Sequence, residues 1–270
     1  MKAKIWGCRG SLATPGAETV HYGGNTSCVE VSSAAGATIV LDAGTGVRQL
    51  GIELVARGVQ QIDLLLTHLH LDHIEGLGFF APLFEPDCSV RIHGPRPEAG
   101  SLRQRITGYL SPPFFPVPFD RIPARVEFEE VWNERWALDG VVVLAAPVQH
   151  PGPTVGYRLE EGTRSLAYVP DNEPALDRDA ALVLADGVDL LLHDAQYTEA
   201  EYASRGGWGH AALPDFAQVV RSARPGRALM FHHDPSHSDS QLEEMEAVTR
   251  DLAQHDRVAL GRECLEIDLT

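Results

Sequence analysis

Cysteine is scarce in this 270-residue chain, and so is positive charge. The four cysteines, Cys8, Cys28, Cys88 and Cys264, are scattered, with no Cys-x-x-Cys pair to hold zinc or run dithiol chemistry. A chain of this length buries a core without disulfides, and sparse thiols fit a reducing compartment. Residues 1–7 enter a strand-like pattern with no apolar run of the kind that opens a signal peptide, so the expected location is cytoplasmic. No stretch approaches the roughly 20 apolar residues of a bilayer span, and no membrane partner is expected. Lysine and arginine number 22 against 38 acids, a formal charge of −16, and nowhere form a basic run. Such a surface repels polyanions, which makes long nucleic acid an unfavourable substrate while leaving a small anion open.

What the chain does have is histidine, concentrated in Thr67-His68-Leu69-His70-Leu71-Asp72-His73. Residues 62–66 just before it are almost continuously apolar, as in a strand covered on both faces. While the backbone remains extended, side chains two apart point the same way, so His68 and His70 can converge on one ion. Asp72 and His73 are adjacent and cannot both join them. If the chain turns helical after His70, these two face a second position, and the spacing therefore suggests two metals. Imidazole and carboxylate without thiolate suit zinc, iron, manganese or nickel; zinc is the default expectation, with manganese and iron as alternatives.

Around this stretch the pattern predicts strands over residues 3–6, 27–32, 38–42 and 89–93, and a helix carrying Val47, Leu50, Leu54 and Val55. Asp42 could cap that helix or hold the histidine loop by hydrogen bonds, and His93 reads as a strand-end residue. Residues 95–125 are rich in proline and phenylalanine and are expected to interrupt sheet and helix as an insertion, either a lid over the site or a contact with a second subunit. Strands return over residues 126–131, 141–146, 156–159 and 165–169. Each of His150 and Asp171 follows one of these, at the same kind of position as His68.

Residues 188–194 echo residues 62–68, which suggests two similar halves, with His193 and Asp194 in structural or supporting roles. His210 leads into a helix with Leu213, Phe216, Ala217 and Val220 on one face. A strand over 227–231 ends in His232-His233, and a last helix, about 239–255, is expected to place Leu242, Met245, Val248 and Leu252 inward before a closing strand near 264–269. No composition break marks a linker, so residues 1–270 read as a single domain of sheet layers covered by helices.

With the His68 loop, His150, Asp171, His210 and His232 all at element ends, the sequence resembles the metallo-β-lactamase-fold hydrolases over nearly its whole length. The resemblance implies an α/β (α+β) four-layer αββα sandwich with two divalent ions at one edge. It assigns His68, His70 and His150 to one ion, Asp72, His73 and His232 to the other, and Asp171 as a bridge; Asp72 is counted with the catalytic groups as well. His232 is preferred to His233 because it directly follows the strand. Gly209-His210-Ala211, Gly7-Cys8-Arg9-Gly10-Ser11 and Asp42-Ala43-Gly44-Thr45-Gly46 are similar to the phosphodiesterase and ribonuclease Z branch. That branch acts on cyclic nucleotides, other small phosphodiesters and the 3′ trailer of transfer RNA precursors.

The expectation is therefore a dinuclear phosphodiesterase acting on a small or cyclic phosphodiester. A hydroxide shared by the ions is the nucleophile, and His210 is the proton donor to the leaving oxygen or stabilises the transition state. Hydrolysis of a thioester, lactone or lactam, ribonuclease Z-like RNA processing, and a non-enzymatic metal-containing interaction protein are the alternatives. A homodimer is consistent with the family.

Overall fold

The computed structural model describes residues 1–269. Strands β1 (Lys2–Gly7), β2 (Cys28–Ser32) and β3 (Thr38–Leu41) form an antiparallel meander. Helix α1 (Val47–Ala56) then leads to β4 (Gln61–Leu65), the single turn α2 (Leu71–Ile74), β5 (Ser89–Pro95), α3 (Leu102–Tyr109) and β6 (Arg125–Val131). From β3 to β6 neighbouring strands are parallel.

The second half repeats this plan. Strands β7 (Glu134–Leu138), β8 (Val141–Pro147), β9 (Val155–Glu161) and β10 (Arg164–Val169) are antiparallel neighbours. They are followed by α4 (Asp179–Ala185), β11 (Leu190–Asp194), α5 (Glu199–Arg205), α6 (Leu213–Ala223), β12 (Arg227–Phe231), α7 (Asp239–Ala253) and β13 (Val258–Leu260). Strands β10 to β13 pair in parallel, and a last strand, β14 (Glu266–Asp268), returns to pair antiparallel with β1. The two seven-stranded sheets run β14-β1-β2-β3-β4-β5-β6 and β13-β12-β11-β10-β9-β8-β7. In each, the echoed strand, β4 or β11, lies third from the parallel edge.

The near-continuous apolar strands divide by parity, because successive side chains leave opposite faces of a sheet. In β10, Leu166 and Tyr168 face the other sheet while Ala167 and Val169 face helices; in β12, Leu229 and Phe231 go between the sheets and Ala228 and Met230 under α6 and α7. The first sheet does the same, with Ile39, Leu41 and Leu65 between the sheets and Val40, Leu64 and Leu66 under the helical layer that includes α1 and α3. Three apolar layers therefore separate four layers of structure, helix, sheet, sheet and helix, which is the expected αββα sandwich.

Several expectations are corrected. Residues 95–125 contain regular structure: Ser101 accepts from the Gln104 N–H while Gln104 caps Ser101 in return, starting α3 ahead of the prolines. Helix α7 ends at Ala253, and Val248 and Leu252 are exposed, 52% and 37%. The inward stripe is Leu242, Met245, Thr249 and Ala253, and Thr249 is accommodated because its hydroxyl bonds the Met245 carbonyl at 2.6 Å. Asp42 does not cap α1, whose preceding residue is Gly46. Among the described residues the cysteines are free, and no helix is long and apolar enough to cross a membrane.

Candidate metal centre

The histidine stretch begins where β4 ends, at the carboxyl edge of parallel strands, where α/β folds place their sites. His70 is extended, φ −64° and ψ 151°, and α2 starts directly after it. Asp72 and His73 are thus turned to a different position from His68 and His70. From the second sheet, His150 follows β8, Asp171 follows β10, His232 follows β12, and His210 stands ahead of α6.

The structure brings all eight candidates together. Ring nitrogens of His68, His70 and His150 lie within 4.8 Å of one another, and so do donor atoms of Asp72, His73 and His232. Asp171 stands between the sets. Its Oδ2 is 3.8 Å from His68 and 3.7 Å from His150, and its Oδ1 is 3.0 Å from His73 and 3.3 Å from His232. His210 stacks on His232 with centroids 5.0 Å apart and points Nδ1 at Asp194, 2.7 Å away. His233 turns away to the Gly261 carbonyl, His93 pairs with Asp63, and His193 bonds the Asp194 carbonyl.

The residues fit divalent ions on three counts. His68 Nε2 and Asp171 Oδ1 are buried without a hydrogen-bond partner, a costly state for polar atoms. Imidazole orientation is fixed from outside: His73 Nδ1 meets Asp42 at 2.8 Å, His150 Nδ1 meets the Gly209 carbonyl at 2.8 Å and His232 Nδ1 meets Gln196 Oε1 at 2.9 Å. These groups accept a hydrogen bond from Nδ1–H, so in the neutral ring each Nε2 presents a lone pair inward. Those lone pairs then face other donors at close range, His73 Nε2 to His232 Nε2 at 3.3 Å and His150 Nε2 to His70 Nδ1 at 3.1 Å. Nitrogens sharing a tetrahedral ion at the usual bond length would sit about 3.4 Å apart.

Electrostatics splits the cluster. Burial pushes His68, His70 and His150 below the usual imidazole value, His150 to about 4. Burial also disfavours charge on His73, but Asp171, Asp72 and Asp42 outweigh it and hold this ring well above the usual value. The same carboxylates would attract a metal cation. For His210, burial is outweighed by the Asp194 carboxylate, which raises the imidazole to about 9, so this ring carries a proton at neutral pH.

The sequence pointed to Asp42 as a hold on the histidine loop and to Asp194 as a supporting residue, but not to the other supports. Asp42 accepts from the Thr67 N–H at 2.7 Å and from the Tyr168 hydroxyl at 3.0 Å besides His73, so it holds the loop. Ser11 N–H donates to Asp72 Oδ2 at 2.7 Å, and Glu173 accepts from Gly207 and Gly209 N–H groups at 2.7 and 2.8 Å, fixing the turn that carries His210. Gly209 has φ +91°, and a Cβ there would lie 2.3 Å from the His150 ring. The glycine-rich turns marked these places, but Gln196 and Asp194 carried no local signal of their partners. A cleft of about 490 Å³ opens onto His68 and His70 between Pro95, Glu98 and Arg105 on one side and Pro151 and Pro153 on the other. The segment after β5 therefore borders the site.

Residues 37–233 match the family model described as "Beta-lactamase superfamily domain". The chain is 28% identical to ribonuclease Z of Mycobacterium sp. (strain KMS) over 221 residues, 75% of this chain and 76% of that protein. It is 26% identical to ribonuclease Z of Porphyromonas gingivalis (strain ATCC 33277) over 305 aligned positions, 90% of this chain and 93% of the other. Among solved structures, the metallo-beta-lactamase fold protein YhfI from Bacillus subtilis superposes with a TM-score of 0.74 at 15% identity, covering 99% of both chains. A diphosphatase from the PhnP family gives 0.73 at 20% identity over 100% of this chain and 98% of that one. Zn(2+)-bound PqqB from Methylobacterium extorquens gives 0.72 at 18% identity over 100% of both.

Proposed function

The chain belongs to the beta-lactamase superfamily, a fold family of metal-dependent hydrolases, and we propose that it is a dinuclear phosphodiesterase acting on a small or cyclic phosphodiester. His68, His70 and His150 would hold one ion and Asp72, His73 and His232 the other, with Asp171 giving one oxygen to each. The observation that carries the two-ion reading is the division of the Asp171 carboxylate, Oδ1 towards His73 and His232 and Oδ2 towards His68 and His150. The nitrogen and oxygen donors suit zinc among other ions, and zinc is favoured because a protein of similar fold is Zn(2+)-bound. Such ions, when bound, supply Lewis-acid charge to a phosphoryl group and make water acidic enough to attack at neutral pH.

The chain's own residues do the rest. Asp42, Gln196 and the Gly209 carbonyl keep ring nitrogens pointed at the reacting centre. Asp194 keeps a proton on His210, whose Nε2–H is free to pass it to the departing oxygen. A phosphodiester needs this donor because its leaving group is a poor one; that argues against a thioester or an activated lactam. The cleft beside His70 is bordered by residues 95–105, in keeping with a lid, and Arg105 could meet anionic charge there.

A second reading, cleavage of an RNA 3′ extension, is favoured by the ribonuclease Z relatives and opposed by the charge of −16. One preparation loaded with zinc separates the readings when offered bis(p-nitrophenyl) phosphate, a cyclic nucleotide, a thioester, a lactone and a precursor transfer RNA. Turnover of the first two is expected. Turnover confined to the RNA, or to the thioester or lactone, overturns the proposal.

A further inference from the structure

Gln196 follows β11 at the strand end and is 2% exposed, although nothing in its own segment calls for a buried amide. Its neighbours decide which way the amide points. Asp234 Oδ2, 3.4 Å from Gln196 Nε2, can only accept: it also takes Arg205 Nη1 at 3.2 Å, while Oδ1 takes the Ser236 N–H at 2.8 Å. Nε2 is therefore the donor side, shared with Ser11 Oγ at 3.4 Å and the Tyr197 hydroxyl at 3.5 Å. Oε1 must then face His232 Nδ1, at 2.9 Å, as an acceptor.

This has a direct consequence for the ring. His232 is pinned as the Nδ1–H tautomer, and its Nε2 lone pair is aimed at Asp72 Oδ2, 3.1 Å away, and at Asp171 Oδ1. Ser11 belongs to the same bracket, since its N–H holds Asp72. Among the described residues no hydrogen bond joins Gln196 to His68, His70 or His150. We infer that Gln196 is a positioning residue for one ion only, the one proposed to lie between Asp72, His73 and His232. The inference rests on the two-ion reading above.

The test is metal binding by the full-length protein, measured by zinc competition with a chromophoric chelator. Gln196→Met keeps the volume and removes the side-chain hydrogen bonds to His232, Asp234, Ser11 and Tyr197. It is expected to weaken one of the two equivalents of zinc about 10- to 100-fold and leave the other unchanged. Gln196→Glu combined with Asp234→Asn reverses the donor and acceptor between the two residues, keeps the acceptor towards His232 and keeps the net charge, while giving up the Arg205 contact to Asp234 Oδ2 at the part-exposed end of the network. This pair is expected to recover binding to within about threefold of the parent, whereas Gln196→Glu alone places two carboxylates face to face and stays weak. Recovery by the pair is a result that a merely space-filling role would not produce. A parent protein that takes up only one zinc overturns the two-ion reading. A parent with two, matched by Gln196→Met with both affinities unchanged or with both weakened equally, overturns the role of Gln196 alone.

Discussion

Ser11, Asp42 and His232 all sit in the left-handed region of backbone space, with φ of 60°, 58° and 60°, and none is glycine. Each such residue costs on the order of 1 kcal/mol, tolerated where surroundings over-determine it. Here Ser11 donates to Asp72, Asp42 gathers Thr67, Tyr168 and His73, and His232 is held by Gln196, so these three strained residues each help to aim the cluster. Gly10 is constrained for a different reason: a Cβ there would lie 2.3 Å from His232 Nδ1. Gly10→Ala is expected to push this ring aside and lower zinc affinity at least tenfold. Gly16→Ala, with open space around it, should leave both affinity and melting temperature unchanged. His210 makes a separate prediction. His210→Ala should slow hydrolysis of a cyclic nucleotide, whose leaving alkoxide needs a proton, by about 10²- to 10⁴-fold. The loss on bis(p-nitrophenyl) phosphate, whose leaving group departs as the anion, should be under tenfold; equal losses on both would rule out proton donation.

Elements, more than residues, decide what could be read in advance. Buried strands with one parity between sheets and the other under helices predict that Leu192→Ala, in the layer between the sheets, costs about 2 to 5 kcal/mol in denaturant melts. Val248→Ser on the exposed side of α7 should stay within about 0.5 kcal/mol. The central strands were legible because both faces are covered and the apolar run is continuous. The edge strand β7 was not, since Glu134 and Arg135 face solvent and only Leu138 is buried. α3 was hidden by the prolines that follow it, and the inward stripe of α7 was misread because Thr249 and Ala253, not the larger Val248 and Leu252, face the core. In the site, residue types and strand ends pointed to the clustered side chains. Their supports lie far along the chain, as with Asp42 and His73, 31 residues apart, and Gln196 and His232, 36 apart, so only the folded sheets bring them into register.

On the scale of the whole molecule, two similarly built sheets meet at the edge where the cluster lies. His68 to His73 come from the first, and His150, Asp171 and His232 from the second. Neither half contains the complete set, so the site depends on the closed sandwich. Asp63 helps hold the first sheet, accepting from Arg91 at 2.8 and 3.0 Å and lying 3.0 Å from His93. Burial alone would raise its carboxyl, but His93 and Arg91 outweigh that and lower it below the ordinary value. The stability it contributes is thus present above the unfolded carboxylate value and lost as pH falls through the lower folded one. Asp63→Asn should cost about 2 kcal/mol at pH 7, a difference that shrinks below about pH 4 as the parent loses its own ion pairs. The most direct test of the proposed dinuclear phosphodiesterase is the rate of bis(p-nitrophenyl) phosphate hydrolysis as zinc is added stepwise to the chelator-stripped protein. Activity that rises to a plateau at two equivalents is predicted; a plateau at one equivalent, or no hydrolysis with two ions bound, would contradict it.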